Sequence, residues 1–288
     1  MMRFVKELFD HFFNSNTFQK GAALSYYAVF SILPMIVILI SVLGLFFGKQ
    51  AVSGEIYAQM NDVLGHDAAT QIQNLIKNQH VNHNNILTTC IGFLTLALSA
   101  SGMFTQVHGA FNDIWNIKSK PKSSILNYIS MHFASFLILI GLFFLILISV
   151  SLNGFLLNHA NGMQKAYQLL YLYEHFVSVL VFSLVFAVMF KFLGDAKIHW
   201  KAIVLGGLFT SLLFTFGKVG IGMYINHSHI STTFGSASAI AILMLWVYYT
   251  SQILFLGASF VSVCSSKLGF DILPTSNAVS VEHVELEN

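Results

Sequence analysis

The sequence predicts an all-α polytopic membrane protein with six transmembrane helices, and two observations carry that prediction. Charged residues make up 9% of the 288-residue chain and apolar ones 56%, whereas a soluble domain carries about 25% charged residues. From Tyr27 to Val263 one apolar block follows another, broken only by short charged or Gly/Asn-rich interruptions. Such a chain cannot cover a globule with water-compatible surface, so lipid must be its main solvent.

The elements follow in chain order. Phe4, Val5, Leu8, Phe9, Phe12 and Phe13 fall on one helical face, with Arg3, Lys6, Glu7, Asp10 and His11 opposite. This predicts a cytoplasmic amphipathic helix over residues 1–20, lying on the inner leaflet. Acidic residues mixed among the basic ones argue against a targeting peptide, and no cleavable signal peptide is visible. A transmembrane domain over residues 21–266 comes next. Windows of about 20 uncharged residues mark spans. The clear ones are Tyr26–Phe47, Ile86–Gln106, Tyr128–Leu152 and Ala237–Val263. Leu169–Leu193, with Glu174 and Lys191 near its ends, and Lys201–Ile225, which carries Lys218, complete the set. Long side chains snorkel from such positions, so both still qualify.

Residues 51–85 are too polar to cross. Ile56, Met60, Val63 and Leu64 form one short stripe. Ala68, Ile72, Leu75 and Ile76 form another after Gly65, with Asp67 as N-cap. They predict a short outer amphipathic cap that shields a site or rests on the membrane. Residues 267–288, with Glu282, Glu285 and Glu287 after Pro274, read as a disordered cytoplasmic tail. No internal repeat is legible by eye.

Orientation follows from the distribution of Lys and Arg. Arg3, Lys6, Lys20, Lys118, Lys120, Lys122, Lys191, Lys197, Lys201 and Lys267 fall on one side, against Lys49, Lys77 and Lys165 on the other. Both termini are therefore expected in the cytoplasm. No basic run is dense enough for nucleic acid. Cys90 and Cys264 are placed near opposite faces, which excludes a disulfide between them.

Three stretches look familiar: GAALSYYAVFSILPMIVILISVLG (Gly21–Gly44), SASGMFTQVHGAFNDIWNIK (Ser99–Lys118) and FGKVGIGMYINHSHISTTFGSASAIAILMLWVYYTSQILFLGAS (Phe216–Ser259). Together they resemble the YihY family of bacterial inner-membrane proteins, also called the BrkB virulence-factor family. The resemblance covers almost all of the chain outside its termini. It implies six helices in a bacterial cytoplasmic membrane, in agreement with the count above. It implies little about activity, since members carry a ribonuclease label and loose links to serum resistance and envelope phenotypes. Relatives usually have an acidic residue after the last LGA, where this chain has Ser259.

Among residues able to carry chemistry, Lys218 stands first. Gly207, Ser211, Thr215, Lys218 and Gly222 share one helical face, and small or polar residues in a span face other helices or a cavity. One reading is a binding site for an anionic group such as a headgroup phosphate. The other is a structural lysine that snorkels or pairs internally, with Glu174 as the candidate partner. Pro34 interrupts the first span and predicts a kink that could act as a hinge. Gly235 reads as a structural or hinge glycine before the last span. Asn112 suits capping or cross-linking of helices better than ligand binding. Trp115 and Trp200 fit an aromatic belt. Trp246 lies too deep for one, so with Tyr249 and Gln252 it lines a cavity or, more simply, packs in the core. His80, His83, His227 and His229 lack metal-ligand company, so no metal or other cofactor is expected.

Three function classes follow. The first is a transporter or flippase-like protein for lipids or envelope amphiphiles. Without a GxxxxGK[ST] motif in the sequence, it would be driven by a gradient or a partner. The second is a non-transporting scaffold or envelope-stress factor, in which the small-residue faces bind partner helices. The third is an enzyme, which Asp113, Asp195 and His199 at separate turns serve poorly. Expected partners are membrane lipids, with homo-oligomers or other membrane proteins open and nucleic acid excluded.

Overall fold

In the computed structural model, residues 2–47, 86–120, 164–228 and 237–281 are described, with short pieces between 53 and 74. A short helix α1 (Met2–Asn14) precedes five long ones. These are α2 (Thr17–Phe47), α3 (Ile86–Ile114), α4 (Gln164–Phe192), α5 (Trp200–His227) and α6 (Ser238–Lys267). The long helices have 28 to 31 residues. At 1.5 Å per residue each exceeds about 40 Å, against about 30 Å of hydrocarbon. Among the described residues, Trp200–Ile225 and Ser238–Lys267 are long and apolar enough to cross a membrane, and Phe176–Phe192 is a shorter apolar helix. The expected span Tyr128–Leu152 lies outside the described residues.

Local chemistry explains the breaks. Asn16 takes φ 52°, the left-handed conformation that a short polar side chain tolerates at a helix end. Around it the Ser15 hydroxyl donates to His11 O (2.6 Å) and the Thr17 hydroxyl to Phe12 O (2.9 Å), so α1 ends and α2 begins within two residues. Helix α2 stays helical through Pro34. Asn116, at φ 53°, ends α3 in the same way.

Residues 267–281 are ordered, which corrects the expected disordered tail. Gly269 (φ 74°) terminates α6, with Phe270 N–H donating to Ser265 O at 3.0 Å, a glycine C-cap. The Phe270 ring then stacks on His199 with centroids 3.9 Å apart. Two short antiparallel pairs follow. Strand β3 (Leu273–Pro274) pairs with β2 (Ala196–Lys197), and β4 (Ala278–Ser280) pairs with β1 (Ile117–Ser119). Composition suggested disorder, yet the segment's backbone pairs with residues 116–120 and 195–197. Residues 282–288 lie outside the described residues.

The chain divides into two compact units. The first comprises Met1–Thr17, His108–Thr215 and Ile253–Asn288; the second comprises Phe18–Val107 and Phe216–Gln252. In the first, Phe111, Phe190, Phe255, Ile114, Leu193, Ile203 and Val261 are fully or almost fully buried. Phe111 meets the rings of Phe190 (5.5 Å) and Trp115 (5.1 Å). Helices α5 and α6 touch closely there. A Cβ added to Gly257 would fall on Thr210 Oγ1, and one added to Gly206 would fall on Val261. Small residues thus bring two backbones together, as in membrane helix pairs. In the second unit, Ile36, Ala239, Ile242 and Leu243 form the core, with Ile32, Ile56, Met60, Ile225, Trp246 and Val247 packed against it. Ile56 and Met60 come from the stripe assigned to the outer cap.

Candidate functional site

The α5 stripe does not form one continuous polar surface. Ser211 is fully buried, and its hydroxyl donates to Val179 O of α4 at 2.7 Å. Thr215 donates to Ser211 O within the helix at 2.8 Å. A Cβ at Gly207 would come within 2.5 Å of Ser183 O. This part of the stripe is therefore the contact between α4 and α5, with its hydroxyls satisfied inside the protein. Lys218, in the other unit, is exposed. So are Phe216 (74%), Val219 (54%) and Met223 (61%). A Cβ at Gly220 or Gly222 meets no described atom within 4 Å.

The remaining sequence-nominated residues are scattered. Glu174 lies on α4 and Pro34 on α2, but the side chains of both fall outside the described residues, as does all of Gly235. Trp246 packs on the core of the second unit and Tyr249 is half-buried. Ser259 is buried, with its hydroxyl on Phe255 O at 3.1 Å.

A second site is built around Asp195, in the turn between α4 and α5. Asn112, near the end of α3, accepts the Asp195 N–H on Oδ1 at 2.8 Å and turns Nδ2 toward Asp195 Oδ2 at 3.3 Å. Ser119 of β1 donates to the same oxygen at 2.5 Å. His108 Nε2 stands 3.4 Å from it. The other ring nitrogen of His108 lies 3.4 Å from Asn112 Nδ2, an amide donor, so the tautomer protonated on Nε2 fits both neighbours. Burial alone would push the Asp195 carboxyl up, but the hydrogen bonds from His108, Ser119 and Asn112 outweigh it and hold the pKa at about 2. The strap formed by β3 and β4 covers this cluster, with Thr275 N–H donating to Asp195 O at 2.9 Å.

Asp195 is thus an anchor, ionised at neutral pH, joining α3, β1, the α4–α5 turn and the C-terminal strap. It faces His108, whereas His199 stacks on Phe270. Of this cluster sequence reasoning singled out Asn112 for a cross-link and treated Asp195 only as a weak catalytic prospect. It missed His108 and Ser119. The available signal was an aspartate directly after Gly194, in a chain with only 12 acidic residues.

Trp115 corrects the belt assignment. Trp200 is 54% exposed and fits a belt, but Trp115 is 4% exposed and donates Nε1–H to Ala258 O of α6 at 3.1 Å. Gly194 makes room for it, since a Cβ there would strike the indole ring. The indole is therefore a core anchor whose polar atom has a partner. A separate recess of about 410 Å³ is lined by Asp10, His11, Asn14, Ser15, Asn16, Asp113 and Asn116.

With this architecture described, comparison with known proteins is decisive at the family level. The family model described as Virulence factor BrkB matches residues 8–278. The chain belongs to that family. BrkB-family relatives named UPF0761 membrane proteins align along most of it. The one from Saccharophagus degradans is 21% identical over 92% of this chain and 60% of its own length. The one from a Psychrobacter species is 26% identical over 88% and 47%. The one from Pseudomonas paraeruginosa is 23% identical over 92% and 63%. The chain thus spans about half to two thirds of the length of these relatives. No solved structure matches it. It is a helical membrane protein of the BrkB family.

Proposed function

We propose that this chain is a six-span protein of the bacterial cytoplasmic membrane, with both termini cytoplasmic. In this reading it acts as a transporter or flippase-like protein that engages anionic lipids or envelope amphiphiles through Lys218. The exposure of Lys218 among apolar neighbours carries the reading. A lysine exposed beside Phe216, Val219 and Met223 on an apolar spanning helix presents a cation toward lipid, where an anionic headgroup is its natural counterpart. Among the described residues, none lies within 4 Å of a Cβ added at Gly220 or Gly222 beside it. No enzymatic step is part of this reading: Ser119 and Asn112 hold Asp195 Oδ2, and Asn112 also holds the Asp195 N–H, an arrangement that anchors a turn.

The scaffold reading draws on the Ser211–Val179 hydrogen bond, which turns part of the polar stripe into helix packing. One experiment separates the two. Purified protein is reconstituted in vesicles containing fluorescent phosphatidylglycerol, and movement of the label between leaflets is followed. Lys218→Ala is expected to abolish it and Lys218→Arg to retain part, since the charge persists. If Lys218→Ala moves lipid like the wild type, or no variant moves any, the scaffold reading takes its place. Reporter fusions after Lys120 and Lys197 should report cytoplasm, and fusions near Asn74 and Asn161 the outside. A fusion at Asn161 that reports cytoplasm would overturn the six-span arrangement.

A further inference from the structure

The amino-terminal helix has three faces, not two. Leu8 (6% exposed) and Phe12 (7%) point into the protein. Phe4 joins them, edge-on to Phe260 of α6 at 5.6 Å, and Phe260 in turn stacks on Phe209 of α5 at 4.1 Å. Glu7 belongs to the same anchorage. It meets Lys267, at the end of α6, at 3.0 Å and Arg3 at 3.1 Å. The Lys267 hydrogen bond, with help from Arg3, lowers the Glu7 pKa. Asp10, His11 and Asn14 turn the other way and line the polar recess with Asp113 and Asn116.

The third face remains. Val5 (44%), Phe9 (44%) and Phe13 (58%) are exposed at a four-residue spacing, and the Phe9 and Phe13 rings stack at 6.1 Å. The sequence assigned all six apolar residues to lipid; the structure buries Leu8 and Phe12 and sets Phe4 against Phe260 of α6. Resting on the orientation proposed above, we infer that Val5, Phe9 and Phe13 dock this helix on the anionic inner leaflet of the membrane the protein spans, while Phe4 and Glu7 tie it to α6.

Two further observations name lipid as the occupant. Phe260 lies about 10 Å along α6 from Lys267, and α6 is one of the helices long enough to cross the membrane. Helix α1 therefore lies beside the last turns of a span, where hydrocarbon gives way to headgroups. Lys6, which is exposed, falls next to Phe13 on the helical wheel, at the border of the apolar stripe. From there an ammonium reaches anionic headgroups while its stem covers apolar surface. The acidic Glu7 is already engaged by Lys267 and Arg3, which reduces repulsion from such a surface.

Nitroxide labels test this in the full chain, with Cys90 and Cys264 replaced by alanine, reconstituted in phosphatidylcholine vesicles with or without phosphatidylglycerol. Labels at Phe9→Cys and, separately, Phe13→Cys should collide with oxygen several-fold more often than with a water-soluble nickel chelate. A label at Asn14→Cys should show the reverse. Phosphatidylglycerol should raise the oxygen preference at both apolar sites, and Lys6→Gln should remove that rise. Nickel-dominated collisions at both apolar sites would overturn the inference. So would shielding from both reagents with spin–spin broadening, which would assign the stripe to a second copy of the chain. Equal ratios in the two vesicle types would overturn its anionic selectivity. Because two positions are read independently, a folding defect in one variant leaves the other decisive.

Discussion

Asn112 and Asp195 hold each other through two hydrogen bonds, Asp195 N–H to Asn112 Oδ1 at 2.8 Å and Asn112 Nδ2–H to Asp195 Oδ2 at 3.3 Å. One amide side chain at the end of α3 thereby fixes both the backbone and the carboxylate of the α4–α5 turn. Both residues are buried, at 5% and 6% exposure, where an unsatisfied amide or carboxylate would be expensive. The turn is consequently specified by chemistry carried on another helix.

The carboxylate makes a pH signature. Its pKa of about 2 in the folded protein lies below the ordinary 3.8. The stabilisation it supplies is therefore present above pH ~4 and is lost as pH falls toward 2, amounting to about 2 kcal/mol. Thermal melts in one detergent should show wild-type stability falling through this window, with a visibly shallower fall for Asp195→Asn. At neutral pH Asp195→Ala should be the less stable of the two variants, because it leaves Asn112 and Ser119 without their acceptor. Parallel pH profiles for wild type and Asp195→Asn would show that the cluster does not anchor the turn.

Two glycines should respond oppositely to alanine. At Gly257 the new Cβ meets Thr210 Oγ1 and the Phe190 ring, and overpacking of this kind costs about 1–3 kcal/mol. At Gly220, where no described atom lies within 4 Å, alanine should instead gain about 0.5–1 kcal/mol from helix propensity. Melting temperatures of Gly257→Ala and Gly220→Ala should thus fall and rise, respectively. Equal shifts would contradict the close α5–α6 contact.

Ending the chain after Asp271 removes β3 and β4 and with them the partners of β1 and β2. Trypsin added to the detergent-purified protein should then cleave after Lys118 and Lys197 much faster than in the intact protein, since strand pairing withholds the backbone from proteases. Ala278→Asp, which places a charge at a position only 4% exposed, should loosen the β1–β4 pair without shortening the chain. Unchanged cleavage in both variants would mean that the strap does not protect the turns.

The sequence by itself determined what depends on composition and period. A chain 56% apolar and 9% charged has to form long apolar helices, and the described ones coincide closely with the apolar windows. The motif set around Gly21–Gly44 and Phe216–Ser259 was enough to place the family. Tertiary structure decided whatever depends on helix rotation and on contacts between distant segments. Periodicity put Ser211 and Lys218 on one stripe, but only packing buried the first against Val179 and left the second exposed. Interfacial composition suggested a belt for Trp115, but the space beside Gly194 and the Ala258 carbonyl drew it into the core. The strap over Asp195 could not be read at all, because β-pairing between turns far apart in sequence depends on hydrogen-bond geometry that neither hydropathy nor charge encodes.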